Sequence, residues 1–193
     1  MKAAYVLSLV ALCLAMVPGT AAADRITNQG VEIADEVEVA GAQLVLFGHG
    51  VARYARVFRV YVAAVYGPED VAPDDLLDSN VPRRLEITYL RRVGADDIRE
   101  ATNAVLEDQY SEAEREAVKA RFARFNALYE DVAEGDQYAY EYHPDEEESR
   151  LYLNGELQGT ETGVDFARAY LGIWLGDEAL SASLRDDLLS AER

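Results

Sequence analysis

The chain has 193 residues, 36 acidic against 18 basic, a formal net charge of −18 and one cysteine. A chain with this much negative charge repels nucleic acid and anionic lipid headgroups. We therefore expect neither as a partner. One cysteine and two histidines exclude a disulfide framework and leave few ligands for zinc, so we expect no metal and no cofactor.

The amino-terminal segment has the three parts of a secretory signal peptide, predicted over residues 1–23. Lys2 precedes an apolar run from residue 3 to 17, and small residues precede Asp24. An uncleaved anchor is the alternative, but the run is short for a span of about 20 residues. We therefore expect a bacterial protein that is periplasmic or secreted, without a stable membrane span after cleavage, and one domain over 24–193.

The scarcity of lysine adds a prediction about habitat. Lysine occurs only at Lys2 and Lys119, and all other basic residues except the histidines are arginine. Acid-rich, lysine-poor surfaces suit high salt, which favours a halophilic source, although GC-rich coding would favour arginine equally. Net charge bears on solubility and habitat but not on the fold.

The first half of the domain reads as strands. "VEIADEVEVAG" and "AQLVLFG" predict two strands, and a third begins at Arg56 and ends near Tyr66. Both alternating faces of this third strand are apolar, which predicts a central strand covered on both sides. After a loop rich in Pro and Asp over 68–82, "RRLEITYLRRV" predicts a fourth strand.

The second half contains helices around a hairpin. Gly94 introduces one helix, and a capping box of Ser111 and Glu114 opens a second. The second helix carries an apolar face made of Val118, Phe122, Phe125 and Tyr129. "DQYAYEYHP" and "RLYLNGE" predict a hairpin, and helices follow over 163–175 and 179–189. Antiparallel strands with segregated helices predict an α+β fold.

Three short motifs have ordinary structural interpretations. Gly48-His49-Gly50 precedes a strand and not a helix, so a phosphate cradle lacks its context, and His49 is interpreted as a turn histidine. The acidic run 145–148 lacks the alternating ligands of a calcium loop, so we interpret it as a solvated turn. Alternating tyrosines predict one packed aromatic face, namely Tyr138, Tyr140 and Tyr142.

Arginines crowd the stretch "GHGVARYARVFRVYVAAVYGP". Arg53, Arg56 and Arg59 lie among apolar and aromatic residues. An arginine in apolar surroundings needs a carboxylate, a phosphate or another hydrogen-bond partner, because burying its charge alone is costly. Either these side chains point to water, or one of them is held for a ligand.

The order of these motifs resembles a known family. "GVEIADEVEVAGAQLVLFGHGVARYARVFRVYVAAVYGP" resembles the opening of bacterial chalcone isomerase-like proteins, in which a glycine turn, an arginine and a long strand follow one another. The similarity continues through "LEITYLRRV" and "FARAYLGIWLGDEALSASLRDDLL" and covers most of residues 30–190. The resemblance implies an open-faced β-sandwich, with a large antiparallel sheet packed against a layer of helices and a ligand cleft between them.

The resemblance also implies where a catalytic site would lie. Plant chalcone isomerases hold the substrate phenolate with an arginine that matches Arg53, and Tyr61 stands at the position of their water-positioning threonine. Asn103 matches their helix asparagine, but Asp96 and Ile173 stand where they carry hydroxyl groups. Each missing donor costs about 2.7 to 4 kcal/mol of transition-state stabilisation, so we lean against an enzyme.

Three function classes follow from the resemblance. The leading one is a non-catalytic exported binder of a small amphipathic carboxylate such as a fatty acid, because fatty-acid-binding relatives hold a carboxylate with an equivalent arginine and tyrosine. Its ligand-binding residues would be Arg53, Tyr61 and Asn103. The alternatives are a chalcone-flavanone isomerase-type intramolecular lyase with a rearranged site, and a structural or partner-binding periplasmic protein in which Arg53 bridges a buried acid.

Overall fold

The structure, a computed structural model, describes residues 25–55, 57–109 and 111–190. The predicted signal peptide over 1–23 and the predicted strand start at Arg56 lie outside the described residues. The strands found there are β1 (Arg25–Asn28), β2 (Val31–Ala34), β3 (Glu36–Val39), β4 (Ala42–Tyr54), β5 (Phe58–Gly67), β6 (Arg83–Tyr89), β7 (Gln137–His143), β8 (Glu148–Leu153) and β9 (Glu156–Thr162). The α-helices are α1 (Ala95–Gln109), α2 (Glu112–Asn126), α3 (Val164–Leu175) and α4 (Ala182–Leu188).

Seven of these strands form one antiparallel sheet in chain order, from β3 to β9. Helices α1 and α2 lie in the connection between β6 and β7, and the β1–β2 hairpin forms a separate two-stranded sheet. Neighbouring strands in the sequence therefore remain neighbours in space. The predicted α+β class and the sheet with segregated helices are confirmed.

Strand β5 is covered on both faces, as its sequence predicts. Tyr61 and Val65 belong to the large core under the helices, whereas Val62 and Tyr66 belong to a second core that also includes Ile33 of β2. The β1–β2 hairpin thus covers one face of the sheet and the helices cover the other.

The large core is mainly aromatic. All three alternating tyrosines of β7 are buried in it, which confirms the predicted packed face. Tyr140 lies 4.6 Å from Tyr170 of α3 between ring centroids, and Phe125 of α2 lies 4.8 Å from the same tyrosine. Such ring pairs add stability beyond their buried area, so this layer holds the helices on the sheet.

Strand β4 differs from its prediction because it continues through Gly48-His49-Gly50 to Tyr54. The interpretation of His49 as a turn residue is therefore wrong, and its Nδ1 lies 2.9 Å from Asn28 Nδ2 in the β1–β2 hairpin. The glycines are needed because α4 packs directly on this strand. A Cβ atom on Gly48 would lie 2.7 Å from the carbonyl oxygen of Leu188.

The ends of several elements also differ from prediction. The first predicted strand is divided at Asp35, whose carbonyl accepts the Leu46 N–H at 2.8 Å. Helix α4 begins after Ser181, whose hydroxyl accepts the Leu184 N–H, and so starts three residues later than predicted. Strands β1 and β9 were not predicted, since both are short and largely polar.

Helix α2 begins directly after Ser111, where the capping box places it. The expected capping contact of the Glu114 side chain lies outside what the structure describes. Residues 145–147 of the acidic run lie in the turn after β7, as predicted, with Asp145 and Glu146 exposed, whereas Glu148 begins β8.

Candidate functional site

Tyr61 is the predicted site residue that lies deepest in the protein. It faces the helices from β5, and its hydroxyl accepts a hydrogen bond from Trp174 Nε1 of α3 at 3.1 Å. Its ring makes an edge contact with Tyr89 at 5.8 Å between centroids. Strand, neighbouring strand and helix therefore fix the position of this phenol.

Burial raises the pKa of Tyr61 to about 12, although the hydrogen bond from Trp174 lowers it in part. The hydroxyl therefore stays protonated at neutral pH. Since Trp174 supplies a proton to the oxygen, the tyrosine's own proton is left to donate, and no acceptor for it occurs among the described residues. Tyr61 is thus a hydrogen-bond donor at neutral pH and not a base.

Arg53 lies on the neighbouring strand but at its exposed end. Ala52 pairs with Tyr61, and the register shifts between Ala52 and Arg53, which pairs with Arg59. The side chain of Arg53 is exposed, and no hydrogen bond or ion pair joins it to any residue that the structure describes. Arg59 is also exposed, and its Nη1 donates a hydrogen bond to Gln29 Oε1 in the turn between β1 and β2.

Asn103 lies on α1 and contacts the other helix of the pair. Its Oδ1 accepts a hydrogen bond from Asn126 Nδ2 of α2 at 3.0 Å. Within the described ranges, no hydrogen bond connects it with Arg53 or Tyr61. The structure thus brings Arg53 and Tyr61 onto paired strands, and places Asn103 in a helix–helix contact.

The two positions implied by the resemblance to carry catalytic hydroxyls carry none. Asp96 is exposed at the start of α1 and forms an ion pair with Arg99 at 2.6 Å. Ile173 is fully buried in α3. Neither side chain offers a hydroxyl group to a substrate carbonyl.

A buried arginine does occur, but at a position that the sequence reading missed. Arg83 on β6 is 1% exposed, and its Nη1 donates to the carbonyl oxygens of Leu76 at 2.7 Å and Ser79 at 2.8 Å. Its guanidinium lies 4.6 Å from the ring centroid of Tyr142. Desolvation lowers the pKa of Arg83 from its usual value. The alternation of "RRLEITY" would have indicated it, since Arg83 shares its face with Leu85 and Ile87.

The opposite face of the sheet carries a partly buried charge network. Arg84 Nε donates to Glu86 at 2.8 Å and Arg84 also pairs with Glu141, while His143 Nε2 lies 3.0 Å from the same glutamate. A shallow recess beside Glu86 is bordered by the β1–β2 hairpin. These groups satisfy one another and leave no open charge for a ligand.

The comparisons with known proteins agree with this architecture. The sequence profile of the family described as chalcone isomerase-like matches residues 25–190. The chain belongs to the chalcone isomerase-like family. No curated protein matches it in sequence.

A solved structure shows the same fold for this chalcone isomerase-like protein. The crystal structure of a fatty-acid binding protein from Arabidopsis thaliana superposes with a TM-score of 0.65 at 13% sequence identity. The match covers 86% of this chain and 96% of the plant chain. At this identity the similarity establishes the fold, and the predicted open-faced sandwich is confirmed.

In the part of the chain that the structure describes, no group of three or more His, Cys, Asp or Glu side chains is arranged to hold a metal ion. Over the same residues, no helix combines the length and the apolar character that crossing a membrane requires.

Proposed function

We propose that this chalcone isomerase-like protein is an exported, non-catalytic binder of a small amphipathic carboxylate such as a fatty acid. The observation that carries the proposal is the position of the Tyr61 hydroxyl, which Trp174 holds at 3.1 Å and whose own proton is left to donate. A carboxylate needs such donors, whereas proton abstraction needs a base.

Arg53 supplies the positive charge for this ligand. It follows Ala52, the register partner of Tyr61, across a shift of register, and pairs with Arg59, which contacts Gln29 in the turn between β1 and β2. Successive side chains of a strand alternate between faces, so Arg53 starts from the face opposite Tyr61. Its long side chain would turn around the end of the hairpin toward the helices, where the guanidinium and the phenol would each hold one oxygen of the carboxylate.

The apolar tail would lie between sheet and helices. At about 0.8 kcal/mol per buried CH₂, a tail of roughly a dozen carbons offsets the usual cost of association. Aromatic side chains fill this layer in the described structure, so we expect the tail to displace side chains at the Tyr61 end.

The solved structure of the same fold supports the proposal of a fatty-acid binder. The Arabidopsis protein is a fatty-acid binding protein by its title and shares the fold at a TM-score of 0.65. A chalcone isomerase-like scaffold can therefore bind a fatty acid, and this chain has a cation and a hydroxyl donor near one end of the layer between sheet and helices.

The isomerase alternative has less support. Asp96 is engaged by Arg99 at 2.6 Å, and Ile173 is apolar and buried. Losing each transition-state donor costs about 2.7 to 4 kcal/mol, equivalent to roughly two to three decades in rate. We therefore expect a hydroxychalcone to cyclise in the presence of the protein at its uncatalysed rate.

The partner-binding alternative, in which Arg53 bridges a buried acid, lacks such a bridge among the described residues, because the buried acids Glu141 and Glu161 pair with Arg84 and Arg124. Arg53 is exposed there. Its removal should therefore affect a ligand and not the scaffold.

Replacing Arg53 with methionine separates ligand binding from stability. We expect Arg53→Met to lower the affinity for a fatty acid by roughly one to two decades, because one charge-assisted contact contributes about 1.5 to 3 kcal/mol. The free energy of unfolding should change by less than about 0.5 kcal/mol, as for other exposed side chains. Displacement of a fluorescent fatty-acid analogue and urea denaturation measure the two quantities.

Arg115→Met is the matched control, since this arginine lies on α2, away from β4 and β5. It should leave both affinity and stability unchanged. Unchanged affinity in Arg53→Met, or a large loss of stability, would contradict the assigned role of Arg53.

A further inference from the structure

The end of the β4–β5 hairpin exposes apolar side chains. Within residues 53–55 and 57–59, here called the hairpin end, Tyr54 and Val57 are each 73% exposed and Phe58 is 54% exposed. Isolated exposed apolar residues are common, but three within one turn form a patch that indicates an interaction site.

The same end is cationic on an otherwise acidic protein. The sequence contains no Asp or Glu from residue 39 to 68. Neither Arg53 nor Arg59 pairs with a carboxylate within the described residues, and the Arg91 guanidinium lies 5.7 Å from the Phe58 ring centroid. Elsewhere, exposed arginines of the described residues have acidic partners: Arg25, Arg92, Arg124 and Arg168.

The hairpin end projects from the sheet. The β5–β6 ladder begins at Tyr61 opposite Tyr89, whereas Arg53 pairs with Arg59 and Tyr54 with Phe58. At about 3.3 Å per residue, the turn therefore extends roughly 10 Å beyond the neighbouring strand. A projecting end of this kind can contact a flat partner surface, such as that of a bilayer, but does not itself form a deep groove.

We propose that the hairpin end docks on an anionic phospholipid surface. Tyr54, Val57 and Phe58 would enter the headgroup region, where amphipathic aromatic rings are favoured, and the arginines would contact phosphates. The hairpin end shares Arg53 with the proposed carboxylate site, but this proposal rests on other residues, namely the exposed apolar side chains and Arg59, and a membrane is a natural source of amphipathic carboxylates.

The net charge of −18 does not prevent this docking. At physiological ionic strength, charges farther than about 8 Å from the surface are largely screened. The expectation from the sequence that the protein repels anionic lipid assumes that its charge is spread evenly over the surface. The projecting arginines would meet the membrane first, with the acids held farther away.

Sedimentation with vesicles tests the proposal. We expect the purified protein to bind vesicles containing phosphatidylglycerol and to bind pure phosphatidylcholine vesicles at least about fivefold more weakly, with binding falling as salt is raised. Phe58→Ser should weaken binding by about tenfold, because the ring no longer leaves water. Arg59→Gln should weaken it by about fivefold, as expected for one basic residue near an anionic surface.

Leu157→Ser is the matched control, because this residue is 50% exposed on β9. It should bind vesicles as the wild type does. Absent vesicle binding, or equal losses in Phe58→Ser and Leu157→Ser, would overturn the proposal. Concentration-dependent self-association abolished by Phe58→Ser would also overturn it, in favour of a second copy as partner.

Titration with a soluble fatty acid without vesicles separates this proposal from the carboxylate site. The affinity of Phe58→Ser for the fatty acid should equal that of the wild type.

Discussion

Gly48→Ala is expected to destabilise the protein by about 3 kcal/mol or more. The added Cβ would lie 2.7 Å from the Leu188 carbonyl oxygen and closer still to that of Asp187. Both obstacles are backbone atoms, so no side-chain rotation relieves the overlap. Helix α4 would have to lift from β4, which would expose Leu184 and Leu188, both buried in the large core. Full exposure of each leucine costs about 1.5 to 3 kcal/mol.

Urea denaturation of Gly48→Ala against Gly94→Ala measures this effect. A Cβ on Gly94 has the flexible Asp97 carboxylate as its nearest neighbour, at 3.3 Å, so a small side-chain shift accommodates it. A destabilisation below about 1 kcal/mol at Gly48 would show that α4 does not pack on the strand as described.

Arg83→Met should cost about 2 to 4 kcal/mol of unfolding free energy. Nη1 of Arg83 holds the carbonyl oxygens of Leu76 and Ser79, and Leu76 is fully buried. Without the guanidinium, these carbonyls lose a charged donor, and each such bond contributes about 1.5 to 3 kcal/mol. Removing an internal charge that has no carboxylate partner offsets part of the loss.

Arg92→Met serves as control for this substitution. Arg92 follows the same strand and is exposed, and its ion-pair partner among the described residues is Asp131 at 3.8 Å, so its loss should change stability by less than about 0.5 kcal/mol. If chemical denaturation showed Arg83→Met to be as stable as the wild type, the prediction would be wrong. The free-energy cost of burying the charge would then cancel the stabilisation that its hydrogen bonds provide.

The parts of the fold that could be predicted depend on local patterns. Two apolar faces on β5 predicted a covered central strand, and alternating tyrosines on β7 predicted a packed face. The polar edge strand β9 has no such pattern. The role of Gly48 inside β4 could not be predicted, because glycine is required there by the approach of Asp187 from the far end of the chain.

The site could be predicted only in part for the same reason. Family resemblance selected Arg53 and Tyr61, and the structure places them on paired strands. The partner of Tyr61 is Trp174, 113 positions away, and no local pattern indicates that hydrogen bond. The buried arginine, Arg83, was not identified from the sequence, because attention went to the cluster of three arginines and not to the alternation that places Arg83 on the apolar face of its strand.

Calorimetric titration of the wild-type protein with dodecanoate and with dodecanol tests the central claim most directly. The two ligands share their tail and differ in the group that Arg53 and Tyr61 would hold. We expect saturable binding of one dodecanoate per chain, at least about tenfold tighter than binding of dodecanol, because only the carboxylate makes charge-assisted hydrogen bonds. Equal affinity for the two ligands, or no saturable binding of dodecanoate, would contradict the proposed carboxylate site.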